Sequence, residues 1–458
     1  MRSIRLAALL LALPGAAVAQ AGATRPAAEA RLRPADAARL PFWQIFGDEA
    51  LAELVRAALA KNGDVRAGWY RVRQADALAD QSFARLLPSV NGVVSANVQP
   101  LGSAIPGAGA DELVTRAQAG LEADWQIDIV GRNTTAWQAS KYDRDAARGN
   151  RDALALSVAT RVADTYFALI EAEQQVEVLD AQLEINRKLL ELMELRFESA
   201  AATAQEVLQQ RQQVASNATL LPQSRQLART LALQLAVLTG SEPGTLAAVP
   251  AVLPEPPPLP AEGVPVELVE ARPDLRAALA RVDAADLRSS VAVRDLFPSL
   301  FVNGQAGWLS TRIADETQTD AVWSAAGVLS VPLFAGGANL ANIRANRAAE
   351  EAAAAEYRQL ALVALQEVES AWLRIGEQRA VVEAATTQVE VGRLAYEEAE
   401  ARYLAGLGNY LAVLTANNAW QQAQLQLVQA RRNLLGVYVE LYASLGGAWT
   451  IGLVPEES

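Results

Sequence analysis

The sequence predicts an α+β fold that combines very long helices with a few amphipathic β-strands. Three observations lead to this class. Residues 150–221 contain neither Gly nor Pro and carry apolar side chains at helical spacing, shorter segments alternate apolar and polar residues, and the first half of the chain matches the second half. Periods of about 3.6 and 2 residues identify helices and strands, and an internal repeat fixes the order in which they recur.

The composition excludes several classes of function. The chain of 458 residues is 51% hydrophobic, which is enough for a large packed core. It has no His and no Cys, so the usual zinc sites and the Ser-His-Asp or Cys-His nucleophiles lack their essential side chains. The net charge of -12 disfavours nucleic acid, because phosphate binding needs an excess of Lys and Arg. We therefore expect no enzyme, no catalytic or metal-binding residues, no cofactor and no nucleic-acid partner.

The N-terminus has the pattern of an export signal. Basic residues precede the apolar stretch 6–13, and a small-residue cleavage site follows at 17–19. An anchor helix is the alternative, but Pro14 interrupts a run that is already short. The prediction is a signal peptide at 1–19 and an extended N-terminal segment at 20–47. Since the chain has no Cys, we expect no lipid anchor at the mature N-terminus.

The two halves of the chain repeat each other. The stretch 62–67 (NGDVRA) matches 272–277 (RPDLRA) at an offset of 210 residues, while 238–240 (LTG) matches 444–446 (SLG) at an offset of 206. The change of offset places a length difference between about residues 90 and 160, where a loop tolerates it best. The predicted organisation is a first repeat at 48–242, a Pro-rich linker at 243–265, a second repeat at 266–446 and a tail at 447–458.

Each repeat contains a very long helix followed by a second helix. The first long helix is predicted at about 132–198, where Leu154, Val158 and Val162 belong to an apolar seam. At ~1.5 Å per residue it would be roughly 100 Å long, much longer than a small domain is wide. The second repeat predicts the same helix at about 339–405. A solitary coiled coil is the alternative for such segments taken alone.

Four segments alternate in the manner of strands with one apolar and one polar face. In the second of them, Leu121 and Trp125 share the apolar face, while Asp124 and Asp128 share the polar face. The four segments lie at 89–99, 115–129, 300–308 and 322–333. A soluble sandwich of sheets would show the same alternation and is the alternative reading of this pattern.

Four strands cannot close a barrel, since single-chain membrane barrels begin at about eight, but three copies would supply twelve. Open sheet edges cannot face lipid, where unpaired backbone groups find no water. After the signal no apolar run reaches the roughly 18 residues of a membrane helix. The predicted fold is therefore an α+β membrane protein, a helical coiled-coil tunnel with a trimeric 12-stranded transmembrane barrel. Its interfacial aromatic girdle would contain Trp125, Trp308 and Trp323, with core packing as the alternative for each of them.

The sequence carries FGD at 46–48, DIVGR at 128–132, ARPDLR at 271–276, FPSL at 297–300 and VPLFAGG at 331–337. In their order, and with the duplication of the chain, these motifs resemble the TolC family of outer-membrane efflux proteins, and most closely its NodT/OprM-type branch. The resemblance implies a homotrimer in outer-membrane lipid, continued by a twelve-helix periplasmic tunnel. It also implies two partners, a periplasmic adaptor (membrane fusion) protein and an inner-membrane pump that supplies the energy. The implied function is a passive conduit of a tripartite efflux or export system.

The resemblance also implies that two helix-to-helix turns, at 199–203 and 405–409, form the periplasmic tip. Residues 405–407 (AGL) resemble the family's Val-Gly-Leu tip motif, which is thought to meet the adaptor. Glycines also end helices simply because they tolerate positive φ, so an ordinary turn is the alternative. The first half differs, with Ala200 where relatives often carry Gly. The predicted adaptor-docking residues are Ala200, Thr203, Ala405, Gly406, Leu407 and Gly408.

The family's aperture carries acidic side chains shortly after each turn. Glu206 stands at the matching position of the first half, but Ala412 and Thr415 occupy the acidic positions of the second half. Three copies of Glu206 would form a ring of negative charge that attracts cations, although an ordinary solvated helix carboxylate is the alternative. The predicted aperture residues are Glu206, Asn409, Tyr410 and Thr415.

One other class of protein fits the same residues. A periplasmic coiled-coil scaffold or adaptor without a pore would use the same long helices, and its strands would pack as a soluble sandwich. An enzyme is disfavoured, because a wet lumen explains carboxylates such as Asp124 and Asp128 without chemistry. A wide polar tunnel would pass drugs, metal ions or secreted proteins alike.

Overall fold

The chain folds into long helices joined to one four-stranded sheet. The computed structural model describes residues 41–100, 113–244, 249–250, 252–257, 259, 272–313 and 315–446. The first half contains α1 (Phe42–Ile45), α2 (Glu49–Lys61), α3 (Gly63–Ala84), β1 (Ser89–Pro100), β2 (Leu113–Ile127), α4 (Arg132–Glu198) and α5 (Ala204–Leu238). The second half contains α6 (Pro273–Arg294), β3 (Ser299–Ile313), β4 (Glu316–Ser330), α7 (Ala338–Leu404) and α8 (Tyr410–Ser444). The predicted signal peptide at 1–19, the tail at 447–458 and part of the linker at 243–265 lie outside the described residues.

The helix lengths show the duplication. Helices α4 and α7 both have 67 residues, α5 and α8 both have 35, and α3 and α6 both have 22. From α3 and α6 onward, the described parts of the two halves differ in length only around the sheet. Residues 101–112 separate β1 from β2, whereas 314–315 separate β3 from β4, and the connections that follow the sheet span 128–131 and 331–337. The length difference expected between residues 90 and 160 therefore combines a longer connection after β1, a β1 of 12 residues against 15 in β3, and a shorter connection after β2.

The start of α4 corrects the predicted end of the second strand. The Asp128 carboxylate accepts hydrogen bonds from the Asn133 backbone N–H at 3.0 Å, and from the backbone N–H and Oγ1 of Thr134 at 2.8 and 2.7 Å. A carboxylate at this place pairs the free N–H groups of the first helical turn and complements the helix dipole. The strand therefore ends at Ile127. The prediction that placed Asp128 on the polar strand face beside Asp124 was wrong.

The largest apolar core forms where α4 and α8 pack against the N-terminal helices. Tyr166, Phe167 and Ile170 of α4 lie at its centre, and the Tyr166 hydroxyl donates to Asp48 Oδ2 at 2.7 Å. Phe42 is buried in the same core. Full burial of a large apolar side chain contributes about 1.5–3 kcal/mol, which explains why the end of the segment predicted as extended (20–47) forms the helical turn α1 instead.

One stretch of α4 is apolar enough by composition to cross a membrane, but half of it is buried inside the chain. The core described above accounts for this burial. In a helix of 67 residues such a stretch is what a long packed helix requires, because its neighbours cover it on several sides.

The four long helices pack side by side, with principal contacts between α5 and α4, α4 and α8, and α8 and α7. Helices α5 and α7 are consequently the outer members of the array. The sheet is similarly arranged, antiparallel with the strand order β1-β2-β3-β4. Within the described residues, β1 and β4 each have one edge without a neighbouring strand.

Candidate functional site

One face of the sheet is apolar over the part of its length nearer the helices, as the alternation predicted, whereas polar residues (Ser310, Arg312, Thr317 and Thr319) lie on the same face towards its other end. The register aligns Gly92, Leu121, Ala306 and Trp323 in one row across the four strands, and Val94, Ala119, Trp308 and Ala321 in the next. Val94 is 86% exposed and Trp323 is 80% exposed. No described part of the chain covers this face. Val331 and Leu333, which were predicted on the fourth strand, lie beyond its end at Ser330.

The three tryptophans lie in three rows of the apolar face, with Trp308 and Trp323 in adjacent rows. Trp125 lies near the helical end of the sheet, opposite Val302, and its Nε1 donates to the Leu86 carbonyl at 2.9 Å. Trp308 lies opposite Ala119, six positions further along β2, which corresponds to about 20 Å at the rise of a strand. This separation is close to the ~25 Å apolar band of membrane sheets, which aromatic girdles border on both sides.

The opposite face of the sheet is polar. One row contains Asn91, Glu122, Gln305 and Ser324, and a second contains Ser89, Asp124, Asn303 and Ala326. Asn303 Nδ2 donates to Asp124 Oδ1. The partner of Asp124 is thus a cross-strand amide and not a second carboxylate, an arrangement that suits a water-filled interior better than acid–base chemistry.

The first tip turn joins α4 to α5 at residues 199–203. Ala201 N donates to the Arg196 carbonyl at 2.8 Å and Ala200 N donates to the Phe197 carbonyl at 3.0 Å. This pair of bonds is the Schellman motif, which requires a left-handed residue after the helix. Ala200 supplies that conformation with a φ of 60°.

The second tip turn, at residues 405–409, repeats the same motif. Leu407 N donates to the Arg402 carbonyl at 2.8 Å, and Gly406 N donates to the Tyr403 carbonyl at 3.0 Å. Gly406 is the left-handed residue, with a φ of 73°. Leu407 is 74% exposed. The positions predicted for both turns are confirmed, and each turn presents its backbone and small side chains at the end of a long hairpin.

Glu206 closes a capping box at the start of α5. Thr203 N donates to Glu206 Oε2 at 2.6 Å, and Glu206 N donates to Thr203 Oγ1 at 3.3 Å. Such a cap stabilises a helix by roughly 1 kcal/mol. Burial, together with the nearby Glu206 charge, raises the pKa of Tyr403 and of Tyr410. The Glu206 carboxylate therefore already has partners inside its own chain.

Tyr410 occupies a different place from the one predicted. Its side chain is 1% exposed, and its hydroxyl hydrogen-bonds Gln210 Oε1. Its ring meets the Tyr403 ring edge-on at 5.8 Å. Because a buried ring cannot line an opening, Tyr410 packs the tip from inside in this conformation. This corrects the expectation that its side chain lines the aperture.

The other two residues predicted for the aperture lie at the surface. Asn409 caps α8 by accepting a hydrogen bond from Ala412 N at 3.0 Å. Thr415 Oγ1 donates to the Leu411 carbonyl within the same helix at 2.8 Å. Both side chains are exposed. The structure thus brings the two turns and Glu206 together around one aromatic cluster.

Sequence reasoning gave no role to two residues of this tip cluster, Arg196 and Tyr403. The Arg196 guanidinium lies over the Tyr403 ring at 5.0 Å, and the Tyr403 hydroxyl hydrogen-bonds Met193 Sδ at 3.5 Å. The signal that could have identified them is the aromatic residue in the last turn of each long helix, Phe197 and Tyr403, at equivalent positions. Only Tyr403 is buried; Phe197 is exposed.

An open amphipathic sheet, continued by two helices of about 100 Å that each end in a hairpin turn, defines a component of a membrane duct. Comparisons with known proteins agree with this class. Residues 54–241 and 264–447 match the family described as outer membrane efflux protein, once for each repeat.

The chain is similar to curated proteins along most of its length. It is 31% identical over 420 residues to the pyoverdine export outer membrane protein OpmQ of Pseudomonas putida, covering 89% of this chain and 88% of that protein. It is 28% identical over 413 residues to the toluene efflux pump outer membrane protein TtgF of Pseudomonas putida, covering 89% and 85%. The outer-membrane channel OprN superimposes with a TM-score of 0.81 at 28% identity, covering 94% of this chain and 99% of that chain.

The chain belongs to the outer membrane efflux protein family. The predicted TolC-family resemblance, of the NodT/OprM type, is confirmed. Its function is that of an outer-membrane channel of an efflux system, as the sequence predicted.

Proposed function

We propose that this chain is one third of a homotrimeric passive duct, with a twelve-stranded barrel in the outer membrane and a twelve-helix tunnel in the periplasm. The observation that carries the proposal is that the sheet and the helix array are both open on both sides. The edges of β1 and β4 lack a neighbouring strand among the described residues, and α5 and α7 are the outer helices. Three copies joined edge to edge close both layers at once, with enough strands for a membrane barrel.

The apolar face of the sheet supports a lipid environment. Val94, Trp308 and Trp323 are large, apolar and mostly exposed, and in water such a continuous patch would associate or aggregate. A soluble sandwich would bury these residues against a second layer, which the described residues do not contain. This is the observation that disfavours the pore-free periplasmic scaffold or adaptor.

The outer helices support side-by-side assembly. Helix α5 exposes Leu208, Leu227 and Val237, and helix α7 exposes Leu362, Leu373 and Leu394. Apolar residues spaced along a whole helix usually meet another helix. Helix α5 of one chain, with 35 residues, would then pack in a ring of three along the half of α7 nearest its turn in the next chain, where Leu373 and Leu394 lie.

The tip supports docking to a periplasmic adaptor, which in turn connects the duct to an energy-supplying inner-membrane pump. Leu407 is an exposed apolar side chain next to exposed backbone, and the residues proposed to dock are Ala200, Thr203, Ala405, Gly406, Leu407 and Gly408. A relative is named as the outer membrane protein of a toluene efflux pump, which is consistent with pump partners. The duct itself is not an enzyme in this proposal, because energy and selection come from those partners.

At the aperture, three copies of Glu206 form a ring of negative charge, with Asn409 and Thr415 exposed nearby and Tyr410 packed behind them. Only the first repeat has an acidic residue at this position, because Ala412 and Thr415 occupy the corresponding positions of the second repeat.

Processing follows from the N-terminal sequence. We propose cleavage of the signal peptide at residue 19 and no acyl anchor, because no Cys is present to carry one. Mass spectrometry of the mature protein is expected to find an unmodified N-terminus, and a lipidated one would contradict this part of the proposal.

The central test is made on protein purified in detergent. We expect a trimer by light scattering and stable ion conductance after reconstitution in planar bilayers. A monomer that is released with the aqueous periplasmic fraction and conducts no ions would overturn the proposal and favour the scaffold.

The aperture is tested separately with Glu206→Gln. Gln retains the capping box, so the helix start should survive while the ring loses its charge. We expect reduced preference for cations over anions, measured by reversal potentials, whereas Glu53→Gln on α2 serves as a distant carboxylate control. Unchanged selectivity in Glu206→Gln removes Glu206 from the aperture.

A further inference from the structure

A cavity of about 560 Å³ lies where the sheet meets the helices, between the end of α6, the connection before α4, and α7. Its volume is within the range of small-molecule sites. The residues that line it are Val130, Ser289, Ser290, Val293, Arg294, Phe297 and Arg347. The lining therefore combines two guanidinium groups and two hydroxyl groups with three apolar side chains, and none of these described residues is acidic.

The cavity opens on the side of α6 that is turned away from α4. Positions 289, 290, 293 and 294 share one face of α6, because they follow the i, i+4 spacing of a helix. Arg288, by contrast, bonds Asp143 of α4 and so marks the face of α6 towards α4. The two guanidinium groups come from different helices, Arg294 from α6 and Arg347 from α7.

These two guanidinium groups have no anionic partner among the described residues. Arg294 Nε donates to the Val130 carbonyl at 3.1 Å, and neither Arg294 nor Arg347 belongs to an ion pair within the described part of the chain. In the cavity between α4 and α7, by contrast, Arg272 is paired with Glu367 at 2.6 Å. Two cations in one cavity repel each other unless an anion comes between them.

A buried hydroxyl group of the cavity also lacks a partner. Ser289 is 7% exposed, yet neither its side chain nor that of Ser290 forms a hydrogen bond with another described residue. Buried polar groups are nearly always paired, and an exception calls for a physical reason such as a ligand or water. Cations and hydroxyl donors that line one cavity without partners indicate an anionic ligand with several oxygen acceptors.

Phosphate is the anion that suits these donors best. Planar guanidinium groups bind phosphate oxygens through paired, charge-assisted hydrogen bonds. Serine hydroxyl groups can donate to the remaining oxygens, and a phosphate group offers more of them than a carboxylate does. The apolar side chains of Val130, Val293 and Phe297 add a surface that an inorganic phosphate ion would not use.

The place of the cavity indicates the source of the phosphate. Trp125 lies on the apolar face near the helical end of the sheet, and its Nε1 donates to the carbonyl of Leu86, just before β1, at 2.9 Å. The corresponding connection of the second repeat, before β3, contains Phe297 at the position of Leu87, and the Phe297 side chain is 50% exposed. Aromatic and basic side chains at the edge of an apolar membrane band meet the lipid headgroups.

We propose that this cavity binds the headgroup of an anionic glycerophospholipid from the periplasmic leaflet of the outer membrane. Arg294, Arg347 and the two serines hold the phosphate, and Phe297 contacts the glycerol and the first acyl carbons. The proposal rests on the membrane duct proposed above, because only that placement brings the cavity to the level of the headgroups.

The test measures lipid binding by native mass spectrometry of the detergent-purified protein, titrated with phosphatidylglycerol. We expect one retained lipid for each chain of the wild type. Arg294→Gln with Arg347→Gln should bind roughly tenfold more weakly, because charge-assisted hydrogen bonds dominate such a site.

Arg281→Gln with Arg393→Gln is the matched control. Both are exposed arginines on the same two helices, so the change of charge is identical, and this variant should bind as wild type. An equal loss of lipid in both double variants would show that general attraction to positive charge, and not the cavity, retains the lipid, and would overturn the site.

Two further ligands distinguish a lipid site from a general anion site. Phosphatidylcholine should bind more weakly than phosphatidylglycerol, because its choline group brings a third cation to the cavity. Inorganic phosphate at the same concentration should not displace phosphatidylglycerol, because it makes no contact with Phe297. Equal binding of the two lipids, or displacement by inorganic phosphate, would overturn an anionic lipid as the ligand.

A single variant keeps the test valid if Arg294→Gln does not assemble. Arg347→Glu changes an exposed side chain that has no ion-pair partner to lose among the described residues, and the same decrease in phosphatidylglycerol binding is expected. A trimer that conducts ions but shows no preference for phosphatidylglycerol overturns the headgroup site alone. A monomer without conductance overturns the duct.

Discussion

Ala200 and Gly406 occupy the same position of the two tip turns, and both have a left-handed backbone, with φ of 60° and 73°. Within the described residues, Ala200 is the only one other than glycine with positive φ. A side chain in this conformation costs about 1–2 kcal/mol. The first turn therefore carries a strain that the second turn avoids.

Ala200→Gly and Gly406→Ala should have opposite effects on the free energy of unfolding. We expect Ala200→Gly to raise the free energy of unfolding by up to about 1 kcal/mol, because the relief of strain exceeds the extra chain entropy of Gly. Gly406→Ala should lower it by a similar amount. Guanidinium titration of the detergent-purified protein measures both. Ala405→Gly, where the backbone is right-handed, is the control and should be destabilising; a loss of stability in Ala200→Gly would contradict the assignment.

The sheet depends on two facing glycines, Gly120 and Gly307. A Cβ on Gly120 would lie 2.5 Å from the Ala306 carbonyl oxygen and 2.9 Å from the Gly307 Cα. Backbone cannot move aside as a flexible side chain can, so Ala at either position should cost about 1–3 kcal/mol or more by overpacking. We expect Gly120→Ala and Gly307→Ala to reduce the yield of assembled trimer on unheated gels.

Gly92 and Gly304 lie on strands of the same sheet and provide the controls for this experiment. A Cβ at either position meets nothing within 4 Å. Gly92→Ala and Gly304→Ala should therefore assemble as wild type. Equal yields for all four variants would show that the close approach of β2 and β3 is not required.

Asp128 should contribute to stability by capping α4. Burial alone would raise its pKa, but the hydrogen bonds from Thr134 and Asn133 outweigh it and hold the pKa of Asp128 below its usual value. Its contribution is therefore complete above the ordinary Asp pKa of about 3.9 and is lost as pH falls below that value. Asp128→Ala should lower the unfolding free energy by about 1–2 kcal/mol at pH 7. Asp124→Ala is the comparison, and an equal loss there would argue against a specific cap.

Asp164 on α4 should give stability the opposite pH dependence from Asp128. Burial raises its pKa to about 6, with Glu440 adding to the shift and Arg432 opposing it. Because the folded pKa exceeds the unfolded one, the native state binds more protons between about pH 4 and 6, and stability falls as pH rises through this range. Asp164→Asn should remove this fall and add at most about 3 kcal/mol at pH 7.

The pH dependence is measured as thermal midpoints at pH 4.5 and pH 7. The difference between these midpoints should shrink in Asp164→Asn. Asp180→Asn, an exposed carboxylate on the same helix, should leave it unchanged. An identical pH profile for wild type and Asp164→Asn would refute the role of Asp164.

The long helices were predictable from sequence because their limits are marked locally. The bounds predicted for α4, 132–198, agree with the structure, since a left-handed residue precedes the helix and a turn follows it. The faces of the strands were likewise predictable from their period of two. The end of β2 was misplaced because the preference of Asp128 for capping a helix competes with the alternation, and the sequence pattern alone does not weigh the two.

The tip and the buried amide side chains of the helical hairpins were less accessible to prediction from sequence. Tyr410 was expected at the aperture because it follows the turn in sequence, but its burial depends on Tyr403 and Gln210, which come from two other helices. Asn186, Gln210 and Asn417 resemble solvent-facing helix residues when each helix is considered alone. Only the packing of three helices shows that they face one another.

The equal lengths of α4 and α7, and of their return helices, have a consequence for any protein that meets the chain end-on. The two turns of one protomer lie at the ends of helices of equal length, but their side chains differ: one turn has alanine and threonine, the other glycine and leucine. A partner built of identical subunits must then either recognise the backbone shape that both turns share, or bind every second turn specifically and make only loose contact with the others.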